Sequence, residues 1–260
     1  MNQRTDLAAL PPELAKEIGE TELLAMHYLT VMSFLITDAK RDPDYFSTHL
    51  LSCLSQDILQ SAVSLSLLVR EGILNVARRE LRFLLEASVK IAAIQQRSYV
   101  TSIEEKLDAF KDEFSSSSVT IKKDIELSLL PEVYRAPFLE EVGRLYGLTS
   151  KYVHLSPTQI ASSLAAFKAG ATAGKERPTD VNEFNRLAER ALAASLVLLF
   201  HGVPYWVAGD WLVDIDGAST GGYFMRSRFF AAMDEGFDYK AERRAILADV
   251  QSARSAGIQF

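Results

Sequence analysis

Two short segments of this 260-residue chain carry residue types that could do chemistry. In the first, Arg79, Arg82, Glu86 and Lys90 recur at helical spacing within a mostly apolar stretch. Residues four apart on a helix are neighbours, so Arg82 and Glu86 can pair. The second segment ends at His154 and is preceded by Tyr146 and Ser150. On a helix, Gly143, Gly147, Ser150 and His154 share one face, flat until the imidazole. Small residues there would let another helix backbone come close. An imidazole in a last helical turn is favoured as a cation by the helix dipole and titrates near neutral pH. An imidazole with a guanidinium beside it suits proton transfer at a phosphate, where arginine holds the developing negative charge. Both segments also have a plainer reading. The stripe can be the wet edge of a helix, and His154 can be a packing residue with a C-terminal hydrogen bond. A buried stripe would instead need partners, and His154 and Tyr146 are the natural ones.

Other chemistry has little to stand on. No Gly-rich phosphate loop, HExxH, G-x-S-x-G elbow or Walker lysine is present. Asp214-Ile215-Asp216-Gly217 lacks the further acidic ligands of a calcium loop and reads as a polar turn. His27, His49 and His201 lie in apolar helical contexts without partners at metal-ligand spacing and read as core or boundary residues. The single cysteine, Cys53, excludes an internal disulfide and a cysteine zinc site. Its neighbours Leu50, Leu51 and Leu54 make it read as a small buried hydrophobe. No cofactor or metal is expected. The net charge of −6 argues against a grip on bulk nucleic acid over the whole surface, and leaves room for a local basic patch.

The elements that must position these residues are helices. Hydrophobic residues at 48% and charged residues at 24% fit an ordinary globular core. Pro11-Pro12-Glu13 opens a helix that Gly19 closes, and Thr21 caps the next. Asp42-Pro43 opens a long helix to about Arg70, with a break at Gly72. The segment Ile73 to Gln96 has no Gly or Pro. Leu74, Ala77, Leu81, Leu84, Ser88 and Ile91 follow a three-four spacing, widened by Val76, Phe83, Ala87 and Ile94. Such a helix belongs at the centre of a bundle. Ser102 with Glu105 makes a capping box for a helix to about Phe114, and the serines from Ser115 to Ser118 make a loop. Val119 to Leu130 stays open between helix and strand. Further helices are expected from Glu132 or Ala136 to His154, from Ser156-Pro157 to Lys168, and from Asp180 to Phe200. Two more, Tyr223 to Met233 and Asp238 to Ser255, close the chain. Ala191 to Gly209 lacks Asp, Glu, Lys and Arg, but Pro204 interrupts it. It reads as a core helix ahead of a membrane span. The fold expected is an all-α, multi-helix antiparallel bundle over 1–202, with a C-terminal helical extension, 203–260, packed on it.

A resemblance attaches to the same two segments. Ala77, Leu81, Arg82 and Glu86 resemble the A-x-x-x-L-R-x-x-x-E helix of uncharacterised bacterial all-helical proteins. Tyr146, Thr149, Ser150, Tyr152, Val153, His154 and Ser156 resemble their second motif. These proteins are grouped loosely with the HEPN-like helical bundles of toxin–antitoxin and phage-defence systems, many of them dimeric, metal-independent ribonucleases. The resemblance implies a HEPN-like core, a homodimer and RNA as a partner. The HEPN nuclease motif places an arginine shortly before its histidine, and here that window holds Gly147, Leu148 and Thr149, with Arg144 too far back. The expectation is therefore a cytoplasmic binding or assembly protein with no membrane contact, in a bacterial defence or stress setting. The alternative is a ribonuclease in which His154 is the acid or base, Arg82 or Arg79 holds the charge and Glu86 orients the arginine, with Tyr146 and Ser150 on the binding surface. A third reading, membrane association, would use Ala191 to Gly209.

Overall fold

The computed structural model describes residues 10–97, 101–114, 125–153, 157–168 and 176–260. Among them the chain is helical, and its one β feature is an isolated bridge between Val213 and Ser219. Four long helices form a ring: α1 (Pro12–Ala39), α3 (Leu50–Arg70), α4 (Leu74–Arg97) and α8 (Pro178–Gly202), each packed against two of the others. The expected central helix is central. In α4, Leu81, Leu85 and Ile94 are fully buried, and each such large apolar side chain contributes about 1.5–3 kcal/mol.

Connection length sets the helix directions. Arg70 pairs with Glu22 at 3.4 Å, and the amide of Leu50 donates to Gln95 at 3.2 Å, so α3 runs antiparallel to α1 and to α4. These are the neighbours joined by short connections. By contrast, α8 runs parallel to both of its neighbours. Thr21 bonds Asn185 and Tyr28 bonds Ser195, while Ser88 bonds Ser195 and Gln96 bonds the His201 carbonyl. The excursion through α5 (Ile103–Phe114), α6 (Glu132–Ser150) and α7 (Pro157–Lys168) carries the chain back to its starting end before α8 begins. Helix α6 packs against both α4 and α8 and runs antiparallel to both.

The extension adds α9 (Tyr205–Leu212), α10 (Arg228–Asp234), α11 (Leu247–Gly257) and 3-10 turns at Tyr223–Arg226, Glu235–Phe237 and Ala241–Arg243. Val207, Leu212, Phe224, Phe230, Met233 and Phe237 join the same hydrophobic core as the ring helices. The buried end of α8 includes every residue from Ala191 to Gly202, and the chain breaks at Val203-Pro204, as the proline requires. One described helix, Leu50–Arg70, is long and apolar enough to cross a membrane.

Several local expectations are corrected. Gly19 does not end a helix: α1 runs through it, because the apolar stripe of Leu14, Ile18, Leu24 and Tyr28 continues across it. Thr21 is not a cap and bonds Asn185 instead. Asp42 does cap its helix, but α2 (Pro43–Ser47) stops within five residues, and His49 caps α3 afresh by accepting from the Leu51 amide. Cys53 is exposed, on the face of α3 opposite Leu51, Ile58 and Leu65. Phe83 is 39% exposed, outside the buried arc of α4. Gly143 and Gly147 face open space, so no described helix packs closely on α6 at these two positions. Residues 125–130 form neither helix nor strand, and 119–124 lie outside the described residues.

Candidate functional site

The α4 stripe meets α6 at Arg82. One helical turn places Arg82 beside Glu86, and Glu86 beside Lys90, so each guanidinium or ammonium reaches the same carboxylate. Arg82 Nη1 donates to Glu86 Oε2 at 2.5 Å, and Lys90 Nζ lies 2.6 Å from Glu86 Oε1. From α6, the Ser150 hydroxyl accepts from Arg82 Nε at 2.9 Å. The Tyr146 ring lies flat under the guanidinium, 3.2 Å from its carbon to the ring centre. Arg82 is only 8% exposed, so the buried reading of the stripe holds here and its charge is met by a carboxylate, a hydroxyl and a π face. Burial pushes the Glu86 carboxyl up, but Lys90 and Arg82 outweigh it and hold the group below the usual carboxylate range. Burial raises the Tyr146 phenol, and the Arg82 charge offsets part of that rise.

Of the residues singled out in the sequence, Arg82, Glu86, Tyr146 and Ser150 therefore come together. Arg79 stands one turn away, exposed, with Nε donating to the Tyr152 carbonyl at 2.6 Å. Arg78 lies over the Tyr152 ring at 4.8 Å. His154 and Ser156 lie outside the described residues. The cluster as described holds and neutralises charge. Glu86 is engaged by two cations and is no free base, and Arg82 donates through Nε to Ser150 and through Nη1 to Glu86.

The other histidines are committed elsewhere. His27 stacks on Tyr223, with ring centres 5.2 Å apart. His49 Nδ1 accepts from the Leu51 amide, so its proton sits on Nε2 and goes to the Gly202 carbonyl at 2.7 Å. His201 is the opposite tautomer: Nε2 accepts from the Leu129 amide, and Nδ1 donates to the Val197 carbonyl at 2.6 Å. Burial pushes both imidazoles down to about 4. Both are structural and neutral.

Sequence reasoning missed two charged groups. Arg243 and Asp234, both fully buried, form a two-pronged pair at 2.9 Å, and Arg254 adds a contact to Asp234 at 2.9 Å. Asp234 ends α10, Arg243 lies in a 3-10 turn and Arg254 lies in α11, so no single helical period links them. Glu141 on α6 holds Arg144 at 3.1 Å and Arg190 of α8 at 2.5 Å. The Glu141–Arg144 spacing was visible in the sequence; the partner from α8 was not. Among the described residues no three His, Cys, Asp or Glu side chains gather as a metal site. No family model, no curated protein and no solved structure matches this chain.

Proposed function

We propose that this chain is a helical binding and assembly protein of the HEPN-like kind, acting as a homodimer in the cytoplasm in a bacterial defence or stress setting. The observation that carries the reading is the neutralised state of Arg82. A guanidinium that stabilises a phosphorane must be free to meet it, and this one is buried against Glu86, Ser150 and Tyr146. Its work there is to clamp α6 onto α4. The open face at Gly143 and Gly147 supports self-association, since a second backbone can approach where no side chain intervenes.

The test is an RNA-degradation assay in EDTA with the wild type, His154→Ala and Arg82→Ala, alongside light scattering at micromolar concentration. The expected result is a dimer with no cleavage above the His154→Ala control. Cleavage that resists EDTA and disappears in both variants would overturn the binding reading and establish the ribonuclease. A monomer would remove the assembly half. The ribonuclease keeps one observation in its favour: Ser150 rests on Arg82, so the segment leading to His154 starts at that cluster.

A further inference from the structure

Away from the α4 stripe, on the side of α6 that faces α8, lies a pocket of about 310 Å3. Its wall carries Arg144 from α6, Arg190 from α8 and Arg228 from the start of α10. The buried Glu141 carboxylate holds the first two in place, Arg144 at 3.1 Å and Arg190 at 2.5 Å. Arg228 is exposed, rests on the Phe229 ring at 4.4 Å, and makes no ion pair with a described residue. The floor is apolar, formed by Ala194, Phe229 and Phe260. Phe260 is anchored by two backbone bonds, its amide to the Arg226 carbonyl at 3.2 Å and its oxygen to the Arg228 amide at 2.7 Å. Among the side chains lining the pocket, the three arginines outnumber the one carboxylate, Glu141.

We infer that this pocket binds a small organic oxyanion, with an aromatic or apolar body over Phe229 and an anionic head at Arg228, Arg190 and Arg144. Three physical features support this. Guanidinium groups present fixed pairs of donors that match the oxygens of carboxylates and phosphates. Glu141 preorganises two of the arginines, so little side-chain freedom remains to be lost on binding. A concave, partly apolar wall with a few convergent polar groups is the usual form of a small-ligand site. The site is independent of the reading given for Arg82 and stands or falls separately.

Phosphate monoesters and carboxylates share the chemistry that would be recognised here. The experiment is calorimetric titration of the full chain with phenyl phosphate, benzoate and inorganic phosphate at low salt, repeated with Arg228→Ala. Arg228 holds no ion pair that the fold relies on, so this variant keeps the melting temperature of the wild type. The expected result is saturable binding of an aryl ligand, at least about tenfold tighter than inorganic phosphate and about tenfold weaker in R228A. Whether phenyl phosphate or benzoate binds more tightly assigns the head group. No saturable aryl binding at millimolar ligand, equal affinity for inorganic phosphate, or unchanged affinity in R228A would each overturn the inference.

Discussion

Acid should unfold this protein through its two buried imidazoles before most of its carboxylates protonate. His49 and His201 are neutral in the fold, each with both ring nitrogens in hydrogen bonds. Burial is the main cause of their depression, from 6.5 to about 4, and Lys106 near His49 and Arg135 near His201 push in the same direction. In the unfolded chain both rings titrate near about 6.5. Below that pH the unfolded state takes up protons that the folded state refuses, so stability falls as pH falls. Protonation would also turn each accepting nitrogen into a donor facing an amide N–H. From the two values, each ring removes about 2 kcal/mol between pH 8 and pH 5, and about 3 kcal/mol once pH has dropped below 4. For both rings, the loss at pH 5 is about 4 kcal/mol, a large share of the stability of an ordinary domain. The assay is urea unfolding at pH 8, 6.5 and 5 for the wild type and His201→Gln. The variant starts less stable, but its stability should fall about 2 kcal/mol less over that range. Equal slopes for the two proteins would refute the reasoning. So would an imidazole of either residue found by NMR to titrate near 6.5.

Three further outcomes follow from the packing. Asp234→Asn should destabilise by about 3–5 kcal/mol in denaturant unfolding, because it leaves the buried Arg243 and the largely buried Arg254 short of counter-charge. A loss below about 1 kcal/mol would mean that the pair is not dry. Gly19→Ala should raise stability by about 0.5–1 kcal/mol, since Gly19 lies inside α1 with nothing near the added methyl. A lower melting temperature would contradict the continuous helix. Arg82→Lys should lose about 1–2 kcal/mol despite keeping the charge, because an ammonium cannot both stack on Tyr146 and reach Ser150 and Glu86. Wild-type stability for this variant would reduce the clamp to a simple charge pair.

What could be read from the sequence was what depends on neighbours along the chain. The three-four spacing of α4, the capping box of Ser102 with Glu105 and the pairing of Arg82 with Glu86 all appear in the structure within one helical turn. The misses came where distant packing overrides a local signal. Glycine weakens a helix by about 1 kcal/mol, and the buried stripe on either side of Gly19 supplies more than that. The break at Thr48 has no glycine or proline to mark it; it exists because the rings of Tyr45 and His49 both reach the Gly202 carbonyl. The contact of Ser150 with Arg82 and the meeting of Arg144, Arg190 and Arg228 join elements far apart in the chain, where no period relates them.

The two arginine groups that meet beside α6 show why residue type alone did not locate a binding site. Arg82 drew attention because it sat at helical spacing from a glutamate, yet that spacing is what consumes it. Arg82 pairs with a carboxylate one turn away on its own helix, and burial against Tyr146 then shuts out other anions. Arg228 has no acidic residue on its own short helix except Asp234, which is buried in pairs with Arg243 and Arg254. Its charge therefore stays available. Binding capacity follows from the balance of charge among groups brought together by the fold. In this chain Arg228 keeps its charge open at the pocket, while the Arg82 guanidinium is buried on Glu86 and Tyr146.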